Sequence, residues 1–298
     1  MDNKVYLFLV FFLISVTAIV QSETKVILLG TGTPHPSIKN RGPATAVVYN
    51  NRVFLFDVGS GVMDQVSGAN LPISGPEATF ITHLHSDHTL GYADLILTTW
   101  IMGRTKRLEI YGPIGLERMT NLLLDSYSED INIRINGLEK EKPDIYKVNV
   151  HEIDEGVVYD SADVKVTAFR VLHGNWNFAF GYRIDTPDKS IIISGDTRPC
   201  ENLINYAKNC DILIHEVYPA NRLHIEDRPG GELWPQYCKE FHTSDIELGQ
   251  IAAEVKPGKL ILSHIVRMGA SDEELINNIR KGGYNGVVII GEDLEVIN

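Results

Sequence analysis

The sequence predicts an α+β protein built as an αββα sandwich, two β-sheets packed face to face with helices on the outside. Short β-branched runs bounded by Gly, Asp and Pro recur along the whole chain, and helical stretches interrupt them in both halves. Hydrophobic residues make up 44% and charged residues 22% of the 298 positions, enough for a sizeable core and incompatible with general disorder or a disulfide miniprotein.

The N-terminus is a separate object. Lys4 precedes an uncharged apolar run over 5–20 that ends at Gln21-Ser22-Glu23, the layout of an export signal. Cleavage is expected after Ser22, giving a signal peptide at 1–22 and one domain at 23–298. The run is shorter than the roughly 20 residues that span a bilayer comfortably, so a retained anchor is the weaker expectation. The mature protein is expected to be periplasmic or secreted and free of the membrane.

In the first half, strand 25–29 runs into Gly30-Thr31-Gly32-Thr33-Pro34, and strands 44–49 and 53–56 are joined at Asn50-Asn51, a hairpin signal. Strand 78–82 leads into a histidine cluster, and helices 91–103 and 115–127 flank strand 108–111. Residues 139–143 read as a charged surface loop. The second half repeats the pattern, with strands at 164–172, 179–184, 190–194 and 212–215, helices at 201–209 and 244–255, and closing strands at 259–263 and 287–290. Between them, 219–241 reads as a long polar loop rich in Pro and Gly, placed where it can cover a site. No low-complexity segment or interdomain linker is present.

With 27 Lys and Arg against 39 Asp and Glu, the formal charge is −12, which opposes binding of structured nucleic acid except at a local patch. Cys200, Cys210 and Cys238 are too few for a disulfide framework. The first two bracket a helix whose ends would lie about 15 Å apart, too far for a bridge.

The chemistry concentrates at Thr82-His83-Leu84-His85-Ser86-Asp87-His88-Thr89, between an apolar strand and a helix. Extended backbone points His83 and His85 the same way, and the following helical turn presents Asp87 and His88 to a neighbouring point. Imidazole and carboxylate are standard zinc donors, so this spacing suits two metal ions side by side. His173, Asp196, His215 and His264 stand at the ends of further strands, where a sheet scaffold gathers ligands from distant parts of the chain.

These residues resemble a family. The His83–His88 run, with Leu55-Phe56-Asp57-Val58-Gly59 before it and Ser194-Gly195-Asp196-Thr197, Phe241-His242-Thr243-Ser244 and Leu262-Ser263-His264 after it, is similar to the metallo-β-lactamase superfamily. The likeness is greatest to its ribonuclease Z and arylsulfatase-like branch and runs from about Lys25 to Asn298. It implies the metallo-β-lactamase fold. It also implies one zinc on His83, His85 and His173, a second on Asp87, His88 and His264, and Asp196 bridging them, with Mn²⁺ or Fe as other occupants. Asp57 would support the metal loop through hydrogen bonds. His242 would contact the scissile group and help protonate the leaving group, with Glu216 as its carboxylate partner. His215 ranks below these as structural. The resemblance also makes a homodimer an expectation, although no interface is legible.

The implied chemistry is hydrolysis, because divalent cations lower the pKa of bound water and accept charge developing at the reacting centre. His242 beside Glu216 is favoured in its charged form, as a general acid requires. Ribonuclease Z carries a protruding substrate arm between its third histidine motif and the Gly-Asp-Thr motif, whereas here only 174–195 separate His173 from Asp196. Class B lactamases usually have another residue at the Asp196 position. The expectation is therefore an exported dinuclear zinc hydrolase of a small phosphodiester or aryl sulfate ester. The alternatives are a ribonuclease Z-like endoribonuclease, another ester, thioester or lactam hydrolase, and a metal-binding protein without turnover. Trp176 is the better candidate for an apolar wall against an aryl group, while Trp100 and Met102 fit a helix core. Arg183 and Arg198 fit surface ion pairs better than an anion site. His35, His151 and His224 match no motif.

Overall fold

The computed structural model describes residues 23–161 and 163–298, so the expected signal at 1–22 lies outside the described residues. The first half contains β1 (Lys25–Gly30), β2 (Ala44–Tyr49), β3 (Arg52–Phe56), α1 (Val62–Gly68), β4 (Ala78–Phe80), α2 (Ser86–Thr89), α3 (Tyr92–Ile101), β5 (Leu108–Gly112), α4 (Leu116–Ser126), α5 (Ser128–Asn136) and β6 (Val148–Glu152). The second contains β7 (Gly156–Ser161), β8 (Val164–Arg170), β9 (Phe180–Asp185), β10 (Ser190–Ile193), α6 (Glu201–Ala207), β11 (Ile212–Val217), α7 (Trp234–Phe241), α8 (Asp245–Val255), β12 (Lys259–Ile265), α9 (Asp272–Lys281), β13 (Val287–Ile290) and β14 (Glu295–Ile297).

These strands form two seven-stranded sheets, ordered β14-β1-β2-β3-β4-β5-β6 and β13-β12-β11-β10-β9-β8-β7. In each, antiparallel pairs give way to parallel ones, at β3/β4 in the first and β10/β11 in the second. The expected layering follows from strands that are apolar on both faces. On β1, Val26 and Leu28 enter the core between the sheets, while Ile27 and Leu29 face the layer of α1, α3 and α4. The second sheet repeats this, with Ile191 and Ile193 turned inward and Ile192 toward α6 and α8. Such near-continuous apolar runs are what a sheet covered on both sides requires.

Aromatic packing and hydrogen bonds join the two sheets beside the histidine loop. Phe56 and Phe80 stack at 4.9 Å, and Tyr182 of the opposite sheet tilts against both rings. The Tyr182 hydroxyl donates to the Ile81 carbonyl at 2.7 Å, and Phe180 N–H donates to the Thr82 carbonyl at 2.9 Å. Each bond contributes on the order of 1 kcal/mol, and together they fix the height at which the loop leaves the sheet.

Three differences from the sequence expectation have local causes. β4 stops at Phe80 rather than 82, because the Thr82 N–H turns to the Asp57 carboxylate at 2.8 Å. The stretch 219–241 is not all loop: its last eight residues form α7, and Pro235 is tolerated because the first helical turn needs no N–H partner there. β14 closes the first sheet by pairing Ile297 with Val26. Cys200, Cys210 and Cys238 are all free and buried.

Candidate metal centre

The site is assembled where β3, β4, β10, β11 and β12 end. Asp57 follows β3 at φ 58, a left-handed conformation that aims its carboxylate across to the histidine loop. That carboxylate accepts from the Thr82 N–H at 2.8 Å, the Thr82 hydroxyl at 2.9 Å and His88 Nδ1 at 2.8 Å. Having donated its proton to Asp57, the Thr82 hydroxyl accepts from His83 Nδ1 at 3.0 Å. One carboxylate thus orients two imidazoles and turns the Nε2 of each toward the other donors, the supporting task expected of Asp57. Burial opposes charge on His88, but Asp196 and Asp57 raise it well above the usual imidazole value, so a cation at its Nε2 would take the place of a proton. His173 is fixed in the same sense, with Nδ1 donating to the Phe241 carbonyl at 2.7 Å.

Two donor sets result. His85 Nδ1 lies 3.0 Å from His83 Nε2 and 3.1 Å from His173 Nε2, and Asp196 Oδ2 stands 3.9 and 4.0 Å from the latter two nitrogens. In the second set, Asp87 Oδ2 lies 3.1 Å from His264 Nε2 and 3.7 Å from His88 Nε2. Asp196 also reaches this set, at 3.4 Å from His88 Nε2 and 3.6 Å from His264 Nε2. All seven residues expected as ligands therefore converge, with Asp196 between the sets.

The donors fit divalent cations. His88 Nε2 is buried without any hydrogen-bond partner, facing two carboxylates, an arrangement that a cation would complete. Burial pushes the His83, His85 and His173 imidazoles down, His173 to about 4, so these rings are neutral and ready to ligate near pH 7. Burial opposes ionisation of Asp196 as well, but His264 and His88 outweigh it and hold the carboxyl well below the usual range. His264 sits in β12 at φ 49, and backbone strain of this kind is tolerated where surrounding contacts over-determine the position.

His242 is presented by the start of α8. Ser244 caps that helix in a capping box with Glu247, which sets the direction of the chain just before it. Thr243 donates its N–H to Glu216 Oε1 at 3.0 Å and its hydroxyl to the Thr197 carbonyl at 2.6 Å. His242 Nδ1 stands 3.3 Å from Glu216 Oε2, an ionic contact without hydrogen-bond alignment. Burial works against charge on His242, yet Glu216 prevails and raises it to about 8.

A cleft of about 630 Å³ opens onto Asp87, Asp196, His242 and His264, within the range of small-ligand sites. The remaining candidates fall outside it or at its rim. His215 is fully buried on β11, donating Nδ1 to the Glu216 carbonyl, and belongs to neither donor set. Trp176 lies behind His85, donating its indole N–H to Nε2 at 2.8 Å, and is not an aryl wall of the cleft. Trp100 is core, whereas Met102 is exposed rather than packed. Arg183 pairs with Asp185, and Arg198 is exposed outside the cleft. His35 lines the rim, His151 pairs with Glu109, and His224 is exposed. The side chains that sequence reasoning missed are Trp234 and Tyr237 of α7, both of which line the cleft. Their spacing with Phe241, one helix face, was the available signal.

Hydrolysis at neutral pH needs donors for a cation that activates water and an acid for the leaving group. This cleft places both side by side, which defines a metal-dependent hydrolase. The β-lactamase superfamily domain matches residues 52–265, and the chain belongs to that superfamily. The Ribonuclease Z of Mycobacterium sp. (strain KMS) is 32% identical over 276 residues, covering 91% of this chain and 94% of the relative. That of Mycobacterium bovis (strain BCG / Pasteur 1173P2) is 29% identical over 277 residues, covering 91% and 96%. Among solved structures, a metallo-β-lactamase fold protein of Bacillus subtilis superposes with a TM-score of 0.69 at 19% identity, covering 92% of this chain and 98% of its own. The short form of human tRNase Z gives 0.65 at 22% identity, with coverage of 92% and 98%.

Proposed function

We propose that this chain is a dinuclear zinc-dependent phosphodiesterase, with His83, His85 and His173 holding one cation, Asp87, His88 and His264 the other, and Asp196 shared. The observation that carries it is Asp196 within 4.0 Å of nitrogens from both donor sets, beside a histidine that Glu216 keeps protonated. Bound cations would supply the lowered pKa of water and the charge acceptance that phosphoryl transfer needs. The chain's own residues do the rest. Asp57 and the Phe241 carbonyl keep the imidazoles in their ligating tautomers. Asp87 opens onto the cleft, with His88 Nε2 3.7 Å from its carboxylate. His242 holds a proton at the nitrogen facing the cleft and gives it to the departing oxygen, while Glu216 stabilises the charged ring beforehand.

Relatives named Ribonuclease Z support a phosphodiester over an aryl sulfate, and back the ribonuclease Z-like alternative better than a hydrolase of a small ester. The arm expected of ribonuclease Z weighs less against RNA than the sequence alone implies. The KMS relative aligns over 276 residues with 91% of this chain, which leaves no room for an inserted arm in that protein either. The charge of −12 still opposes a wide grip on a polyanion. Export by the signal at 1–22 is part of the proposal.

Mature protein loaded with Zn²⁺ should hydrolyse bis(p-nitrophenyl) phosphate faster than p-nitrophenyl sulfate, a thioester or nitrocefin. Fastest cleavage of sulfate or nitrocefin overturns the phosphodiesterase. Efficient trimming of a precursor tRNA with a 3′ extension would move the substrate to RNA.

A further inference from the structure

Tyr237 lies on α7 between two other rings. Trp234 precedes it with centroids 5.3 Å apart and planes 13° from parallel, and Phe241 follows at 4.2 Å and 17°. Phe241 is itself held by the metal centre. Its carbonyl accepts from His173, its ring packs edge-on to that imidazole at 5.0 Å, and it fills the space over Gly174 that a side chain would occupy. A Cβ on Gly174 would lie 1.9 Å from Phe241 Cζ, so only glycine, at φ +51, admits this contact. The phenol is thus clamped from both sides in a stack that starts at a candidate ligand.

The clamped ring lines the same cleft as Asp87, Asp196 and His242, with its centroid 5.7 Å from that of His242. Its hydroxyl makes no hydrogen bond with any described residue. Burial first, and then the negative charge of Asp196 and Asp87, push the phenol up to about 12, so it keeps its proton near neutral pH. Arg267, the guanidinium on the cleft wall, is already committed to Asp272 at 2.6 Å. Tyr237 is therefore an uncommitted, immobilised donor beside the acid.

We propose that Tyr237 is a further catalytic residue, donating a hydrogen bond from its phenol to a non-bridging oxygen of the substrate phosphodiester as negative charge builds there. This rests on the phosphodiesterase reading above. A donor fixed before reaction favours the charged transition state without reorganisation, and removing one such donor typically slows turnover by about 10²-fold.

The test is Tyr237→Phe in zinc-loaded protein, which keeps the ring stack and removes only the hydroxyl. Bis(p-nitrophenyl) phosphate is compared with its analogue carrying sulfur in place of one non-bridging oxygen. We expect kcat to fall by about 10²-fold with KM little changed and metal content and near-UV circular dichroism intact. Because sulfur accepts hydrogen bonds weakly, the rate penalty for sulfur should shrink in the variant relative to wild type, the signature of direct coupling. A variant kcat within about twofold of wild type, or a fall with an unchanged sulfur penalty, removes the role from Tyr237 and leaves the phosphodiesterase standing. Absence of wild-type turnover on the phosphodiester overturns both.

Discussion

His173 and His242 lie with ring centroids 5.4 Å apart, both almost fully buried, and are driven in opposite directions. Burial disfavours the charged form of each. At His173 the only close partner of Nδ1 is a neutral carbonyl, and the ring falls to about 4, keeping a lone pair on Nε2. At His242 the partner is the Glu216 carboxylate, and the ring rises to about 8, keeping its proton. Between two neighbouring imidazoles, the group facing Nδ1 decides which serves as ligand and which as acid.

The largest effect should come from exchanging these two residues for alanine. His173→Ala should lose bound cation and bring hydrolysis to background. His242→Ala should keep its cations and lose roughly 10²- to 10⁴-fold in kcat/KM, the usual worth of a general acid. Metal content by mass spectrometry alongside rates reads both. A ring nitrogen of His242 lies within 4.8 Å of donor atoms of Asp196 and His264, so the contrast can break. If His242→Ala sheds metal as His173→Ala does, His242 is a ligand and not an acid.

A smaller effect tests the carboxylate alone. Glu216 raises His242, so the acid-competent form is complete well below pH 8 and is lost as pH rises through about 8. Glu216→Gln keeps an acceptor oxygen for the Thr197 and Thr243 N–H groups, now 3.2 and 3.0 Å from Oε1, and removes only the charge. The alkaline limb of kcat/KM should then move down by about one pH unit or more, toward the unperturbed imidazole value of about 6.5. Rates at pH 8 should drop by roughly tenfold, with much less change at pH 6. An alkaline limb that stays in place would assign it to another group.

The metal-ligand side of this contrast was legible before the structure because strand ends have fixed places in a sheet. His83, His85, Asp87 and His88 fall on one strand-to-helix turn, and His173, Asp196 and His264 each follow or end an apolar run, whereas His242 follows the charged end of α7 and was legible only through the family resemblance. Helical stretches interrupting the strand runs in both halves likewise announced covered sheets. What stayed hidden depends on contacts across the fold. α7 is short and opens on Trp234-Pro235 after a Gly-rich stretch, so local composition masks a helix that is stabilised by Phe241 packing on His173 and Gly174. β14 has only three residues and exists because β1 offers an edge. Trp176 read as a wall for substrate because its position next to His173 was visible and its direction was not.

That direction sharpens the comparison at its smallest scale. His83, His88 and His173 each have an acceptor at Nδ1, but the outward nitrogen of His85 faces Trp176, whose indole N–H can only donate. In metal-free protein the proton of neutral His85 must then sit on Nδ1, the atom that meets His83 and His173, and a cation taking Nδ1 must displace it. Trp176→Phe removes the indole donor, but the Nε2 lone pairs of His83 and His173 still face Nδ1 and hold the proton there. Histidine-selective ¹⁵N NMR of the metal-free variant should show His85 still in the Nδ1–H tautomer, with a stability loss of about 1 kcal/mol for the lost indole bond. The signals of His83 and His88, anchored on Asp57, should not move. A shift of His85 to the Nε2–H tautomer would mean that Trp176, and not the neighbouring imidazoles, sets the state in which His85 meets its metal.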